Sequence, residues 1–361
     1  MNRTTRLLLA ATLATTLPFL GGCKSLKERL SKNKGYDAGI VKTTPTSTSG
    51  SGTQDPQDLA DEMLGQKVGE YIRMCMNAMS SNVYRSRRQY LSWTPKSGGL
   101  TGRETRVLGI FEIKGAQTCM NASNKAKNLQ PKDEALENAG QKYAKAVVAL
   151  EPLVKEAFAY YDHKNYKDDK FARGKVLHPQ LIAAFDEFVR ADKEIHSAVG
   201  SVTKPLAMRQ LARMEREEGK KFRYHRRNVL NLGRDLVEIG DPSGEDDEVS
   251  FALYDGTFLE FEKALGALKD YGTTRRSDLS DPKKSKIGSA AAYDTFMRAA
   301  DDYLRKSREY GRCLRDAPSF AKTKEGKVDL DRLPKCPDGG RRDFGDKYDN
   351  FVVTSNANPF P

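Results

Sequence analysis

Histidine and cysteine are scarce in this chain, with four and five copies in 361 residues. Cysteines so few and so scattered exclude a dense disulfide scaffold and a Cys-rich metal protein. Long apolar runs are missing as well: the best, residues 7–20, reaches about 21 Å as a helix, short of the roughly 30 Å hydrocarbon core. With 30% charged residues, a polytopic membrane protein is excluded. The common catalytic signatures do not occur either. No GxSxG elbow lifts a serine onto a strained turn, no GxxxxGK[ST] loop wraps phosphates, no HExxH places two zinc ligands on one helical face, and there is no CxxC. The expectation is a non-enzyme with no cofactor. Sustained period-two alternation is lacking, which argues against a sheet, and no internal repeat of fixed period occurs.

What is present begins at the N-terminus. Arg3 and Arg6 precede the apolar run, which ends in Leu20-Gly21-Gly22-Cys23. A basic start, a short apolar stretch and small residues before a cleavage point make a secretion signal. The tetrapeptide resembles a bacterial lipobox, in which the cysteine sulfur is acylated and cleavage frees its amine. Residues 1–22 are therefore expected to be a lipoprotein signal peptide and Cys23 the lipidation site, carrying palmitate-like chains. Two or three acyl chains are needed for a durable anchor, since one holds only marginally. Lys24 follows where an Asp would be the inner-membrane retention signal, so the expected location is the outer membrane, facing the periplasm.

Residues 23–54 read as a tether, basic at first (Lys24, Lys27, Arg29, Lys32, Lys34) and then Thr-, Ser- and Gly-rich. Losing the leader removes only Arg3 and Arg6 from a formal charge of +12, so the basic surplus belongs to the mature chain.

Residues 55–336 are expected to form an all-α domain, an elongated antiparallel helical bundle. Asp55-Pro56 opens it with an N-cap carboxylate and a proline at the first helical position. Leu59, Met63, Tyr71, Ile72, Cys75, Met79, Val83 and Tyr90 then fall on one helical face. A second helix is predicted from near Pro131 to Tyr161, with a possible kink at Pro152, and a third after Pro179 to Val199. A fourth, very basic, follows Pro205, frays near Gly219 and ends near Gly240. Residues 251–271 and 290–314 supply two more. Residues 106–114 (RVLGIFEIK) fit a short strand and a helix equally, and residues 337–361 read as an irregular C-terminal tail.

With Cys23 lipidated, four cysteines remain and three pairings are open. The sequence-local one joins Cys75 to Cys119 and Cys313 to Cys336, worth about 3–4 kcal/mol per closure in the loop-entropy model. The best candidate for a metal or ligand is the segment from Tyr160 to Asp169, with His163, Asp168, Asp169 and the later His178; tyrosines covering a bundle end is its plainer reading. Residues 204–235 carry ten Lys or Arg against four Asp or Glu. Nucleic acid is not an expected partner for a secreted protein, which leaves anionic lipid, anionic polymer, acidic protein, or a solvated face paired along the helix.

Three strings look familiar: Val83-Tyr84-Arg85-Ser86-Arg87-Arg88-Gln89-Tyr90-Leu91-Ser92-Trp93, then Leu100-Thr101-Gly102-Arg103-Glu104, then residues 160–169 continuing into Gly174-Lys175-Val176-Leu177-His178-Pro179. They resemble the YiiG-like family of bacterial envelope lipoproteins, a domain of unknown function. The resemblance implies a helical, lipid-anchored envelope protein and carries over no catalytic or binding residues. Read physically, Arg85, Arg87, Arg88, Tyr90 and Trp93 form an aromatic and basic helix end. It is either a packing knot, with arginines on rings or on Asp168 and Asp169, or a recognition patch for an anionic partner. The functional expectation is a non-enzymatic binding or scaffolding protein, held to the membrane by acylated Cys23 and engaging an unknown envelope protein or anionic polymer. A receptor for a small ligand or metal ion between helices, and an unrecognised hydrolase, stand as alternatives.

Overall fold

The computed structural model describes residues 55–95, 98–242, 248–279 and 286–357, the side chains of 278 and 286–290 excepted. The signal peptide, Cys23 and the tether lie outside these residues. The body is an all-α helical bundle.

Helix α1 (Pro56–Tyr71) starts where Asp55 accepts a hydrogen bond from the Gln57 N–H at 2.9 Å, with proline at its first position. It passes without a break through a π-helical turn, Ile72–Met76, into α2 (Asn77–Leu91). The three stretches of 16, 5 and 15 residues make one rod about 54 Å long. After the irregular residues 98–115 come α3 (Ala116–Asn128), α4 (Glu134–Asp162) and α5 (Ala172–Glu218). The rod formed by α1 and α2 runs antiparallel to α5, as the cross-helix bonds read in order: Asp58 with Arg213, Asp61 with Arg209, Ser80 and Tyr84 with Asp192, Arg87 with Asp186, Tyr90 with His178. Helix α4 also opposes α5, through Lys142 with Glu194 and Glu156 with Arg173.

The apolar stripes of these helices meet in one core of fully buried side chains, among them Tyr71, Val83, Tyr90, Tyr143, Leu150, Leu181, Phe185 and Phe188. A second core collects α6 (Phe222–Gly240), α7 (Phe251–Thr274), α8 (Lys286–Arg315) and α9 (Arg341–Ala357). There Tyr303 stacks on Phe344 and Phe351, with ring centroids 5.5 and 5.8 Å apart. Tyr303 and Tyr310 donate to the carbonyls of Gly233 and Gly240 at 3.0 and 2.9 Å, so their hydroxyls are buried without loss. The two-residue strands β1 (Glu248–Val249) and β2 (Val328–Asp329) pair antiparallel, Val249 opposite Val328.

Four details differ from the sequence expectation. The third helix and the first half of the fourth are one: α5 carries 47 residues straight through Pro179 and Pro205 and ends at Gly219, where fraying was expected, and the rest of the fourth is α6. A proline forfeits one backbone bond, and burial of Val199 and Thr203 before it and Leu206 and Ala207 after it carries the helix across. Residues 106–114 are neither strand nor helix but an extended segment outside any ladder. Helix α3 was not foreseen, because its buried face is made of Ala116, Cys119, Ala122, Ser123 and Ala126, too small to give an apolar stripe. The tail at 337–361 is not irregular throughout: Phe344, Tyr348, Phe351 and Val352 put α9 into the second core.

Both sequence-local disulfides are formed, Cys75–Cys119 and Cys313–Cys336. The first ties the π turn to α3; the second ties α8 to the irregular stretch before α9.

Candidate functional site

The end of the bundle where α2 stops and α4 turns into α5 gathers all three of the strings singled out above. Tyr90 is fully buried and its hydroxyl lies 2.9 Å from His178 Nδ1. Burial pushes the His178 imidazole below its ordinary range, so it is neutral at physiological pH. Trp93 sets its ring edge-on to Tyr161 at 5.0 Å and to Tyr90 at 5.6 Å. The connection from α4 to α5 is strained, with Lys164, Lys170 and Phe171 at φ of 60, 52 and 64°. That backbone turns the Phe171 ring inward against Tyr166, centroids 4.9 Å apart. Asp169 holds the turn closed, accepting from the Tyr160 hydroxyl at 2.7 Å and from the Arg173 N–H at 2.9 Å in the first turn of α5. Burial of its carboxyl is outweighed by these bonds, which keep it below the usual carboxylate range.

The proposed metal and ligand residues therefore do not converge. His178 is inside, bonded to tyrosine; Asp169 is a cap; His163 and Asp168 are exposed. Among the described residues no three His, Cys, Asp or Glu side chains form a group able to hold a metal ion.

The basic and aromatic residues of the recognition patch divide between inside and outside. Tyr90 and Trp93 belong to the packing. Arg87, largely buried, lies 3.4 Å from Asp186 of α5. The expected pairing of these arginines with Asp168 or Asp169 is not seen, since Asp169 is occupied by the turn it caps and Asp186 faces α2 across the antiparallel register. Arg85 and Arg88 are exposed, and the Arg85 guanidinium lies over the Phe111 ring, 4.1 Å from its centroid.

Phe111 belongs to the extended segment, which sequence reasoning left unassigned. Three side chains of the α2 end fasten it by its carbonyls: Ser86 Oγ to Phe111 O at 2.6 Å, Gln89 Nε2 to Leu108 O at 2.8 Å, Trp93 Nε1 to Gly109 O at 2.7 Å. Gly109 bends the segment at φ 68°, a conformation that costs a glycine nothing. Ile110 and Ile113 go into the core, while Leu108 and Phe111 remain 40% and 36% exposed.

A second polar cluster lies a few turns along the rod. Asp192 is fully buried and accepts from Ser80 Oγ at 2.7 Å and from the Tyr84 hydroxyl at 2.9 Å; Tyr143 Oη lies 2.8 Å from Ser80 Oγ. His196 Nδ1 is 2.8 Å from the backbone carbonyl of Asp192. The serine thus meets the carboxylate directly rather than an imidazole, unlike the relay of an acyl-transfer triad. What the cluster does is lock three helices together. Its sequence signal was a carboxylate at position 192 on the stripe of Phe185, Phe188, Val189 and Ile195.

The basic stretch at 204–235 is divided: six of its ten cations are exposed, while Arg213, Arg226, Arg227 and Arg234 are partly or wholly buried. Arg209 clamps Asp61 through two nitrogens, with contacts of 2.8 to 3.1 Å. Arg226 donates to Ser355 of α9 and Arg227 to Gln210 of α5. Burial pushes both guanidinium groups down to about 10. Arg213 pairs with Glu217 one turn on along α5, as local pairing along a helix predicts, whereas Lys220 and Arg223 reach Glu215 and Glu218 across the break between α5 and α6.

Comparison with known proteins places these features in a family. The profile of a family described as "Protein of unknown function (DUF3829)" matches residues 62–357. "Uncharacterized protein YiiG" of Escherichia coli (strain K12) is 31% identical over 270 residues, covering 73% of this chain and 71% of that protein. No solved structure matches. No helix among the described residues is long and apolar enough to cross a membrane. With its profile match running from the first helix to the last, the chain belongs to the DUF3829 family of proteins of unknown function.

Proposed function

We propose that this chain is a lipid-anchored protein of the bacterial envelope, fixed by acylated Cys23 and facing the periplasm from the outer membrane, whose helical body binds an envelope partner without doing chemistry on it. One observation carries the reading. The chain has five cysteines, and the body uses four of them in two disulfides, which persist in oxidising compartments outside the cytosol. The cysteine left over follows Leu20-Gly21-Gly22, where an acyltransferase and a peptidase could reach it. Lys24 beside it supports the outer over the inner membrane.

Metabolic labelling with a clickable palmitate tests the anchor: label is expected on the protein and absent from Cys23→Ala, and label that survives this change refutes it. Crosslinking in intact envelopes tests the binding role. Recovery of one protein or polymer that is lost with Cys23→Ala supports it; a metabolite or metal copurifying at one per chain, with nothing crosslinked, would replace binding by a receptor role.

A further inference from the structure

The fastened segment presents a surface that the packing of the body does not require. Its carbonyls at 108, 109 and 111 are all taken by α2 side chains. This holds the backbone against the end of α2 and leaves Leu108 and Phe111 partly exposed. The same helix end and segment carry the exposed cations Arg85, Arg88 and Arg106, with Arg85 over the Phe111 ring. The nearby carboxylates are already engaged. Glu104 accepts from the Thr101 and Gly102 N–H groups at 2.6 and 2.8 Å, and Glu112 pairs with Lys114 at 2.8 Å.

We propose that this patch, Leu108 and Phe111 beside the exposed Arg85, Arg88 and Arg106 at the end of α2, docks the body onto an anionic phospholipid surface. Two partly exposed apolar side chains beside a surplus of cations suit a fluid interface, in which an aromatic ring enters the headgroup boundary while cations stay with the phosphates. The stacking of Arg85 on Phe111 at 4.1 Å already places a guanidinium across the ring, where a phosphate would meet it as the ring inserts. Glu104 and Glu112 keep their charge and Glu112 offsets Lys114, but Arg85, Arg88 and Arg106 leave the cations in surplus, and each cation near such a surface adds attraction. Chain length permits the contact. The 32 residues from Cys23 to Asp55 span up to about 105 Å when extended, about twice the length of the rod that separates Asp55 from the patch. The inference deepens the anchored-binding reading by giving the body a partner, but docking itself needs no acyl chain.

Trp93 makes the test direct, because it is the only tryptophan and lies beneath the segment, bonded to Gly109. The mature protein purified from its own membranes is mixed with vesicles of phosphatidylethanolamine and phosphatidylglycerol, or of phosphatidylcholine alone, each containing a brominated lipid as a short-range quencher. Flotation reports anchoring and Trp93 quenching reports docking. Expected are flotation with both vesicles and quenching with the anionic ones only, relieved near 1 M salt, where the screening length is about 3 Å. Each of Arg85→Ala, Arg88→Ala and Arg106→Ala should weaken docking about fivefold, and Phe111→Ser should weaken it at every salt concentration. Flotation without quenching overturns the inference and leaves the anchor standing. Quenching without flotation on phosphatidylcholine upholds docking and removes the anchor. Equal quenching by both lipids, or quenching unchanged in the triple arginine variant, overturns docking. Should that variant melt early, Arg106→Glu alone, outside every helix, decides the matter on the same readout.

Discussion

Asp349 is the side chain on which a single titration has the clearest effect. Burial, and then the charges of Asp346 and Asp241, push its carboxyl up to about 6. An acid with a folded pKa above its unfolded one favours folding at low pH, and that advantage is lost as pH rises through the folded value. Asp349→Asn should therefore raise the melting temperature at pH 7, by about 3 kcal/mol of stability, with the gain vanishing near pH 4. Thermal melts of both proteins across that range check it; an equal gain at both pH values would show that charge is not the cause. Lys67 makes the opposite case. It is fully buried on α1, donating to the carbonyls of Leu129 and Pro131 at 3.2 and 2.9 Å and to Glu137. Lys67→Met strands the Glu137 carboxylate and should cost about 3–5 kcal/mol by denaturant unfolding. Adding Glu137→Gln should recover part of that loss, because the stranded charge is removed.

Elements came through the sequence in proportion to the size of their buried residues. The rod of α1 and α2, the helix α4 and the first half of α5 bury Tyr, Phe, Leu and Val at helical spacing, and their stripes were plain. Helix α3 was invisible because alanine and serine carry little hydrophobic contrast, yet small residues are what let it lie close to α4, where Glu151 accepts from the Gly115 and Ala116 N–H groups at its start. Helix α9 had a readable stripe in Phe344, Tyr348, Phe351 and Val352, masked by the Gly, Pro and Asp residues just before it. At the bundle end the aromatic residues were legible as a group. Which of their neighbours turn outward was not, because that depends on three side-chain bonds to carbonyls of a segment with no periodicity. The disulfide choice rested on nearness in sequence, and the four cysteines pair that way. Close approach between elements also sets a limit at Gly140 of α4, where a Cβ would come within 2.1 Å of a ring carbon of Tyr71. Gly140→Ala should force α4 from the rod and cost about 3 kcal/mol, seen as a lowered melting temperature.

Across the molecule, carboxylates tie distant parts of the chain together, and acid should undo them. Asp61 and Glu137 pay for burial, but Arg209 and Lys67 more than compensate and hold both below the usual carboxylate range. Asp302 is held low by Lys347 of α9 and by Arg305. Depressed acids contribute stability above their unfolded pKa of about 4 and lose it as pH falls through their folded values. Stability should thus decline below about pH 4. Asp61→Asn should flatten part of that decline, measured by urea midpoints at successive pH values. Of these ties only Asp61 with Arg209 reaches helix α5, which also lines the first core with Leu177 to Val199 and meets α6 through Arg227 at Gln210.

The antiparallel register of the first rod against α5 has a mechanical consequence. The chain enters the body at Asp55, and the arginine-bearing end lies on the far side of an unbroken helix. A pull between those two points loads the helix lengthwise. The load then runs through the rod's own backbone hydrogen bonds, and the cross-links from Asp58 to Tyr90 fasten the rod to α5 along its length and so resist its extension.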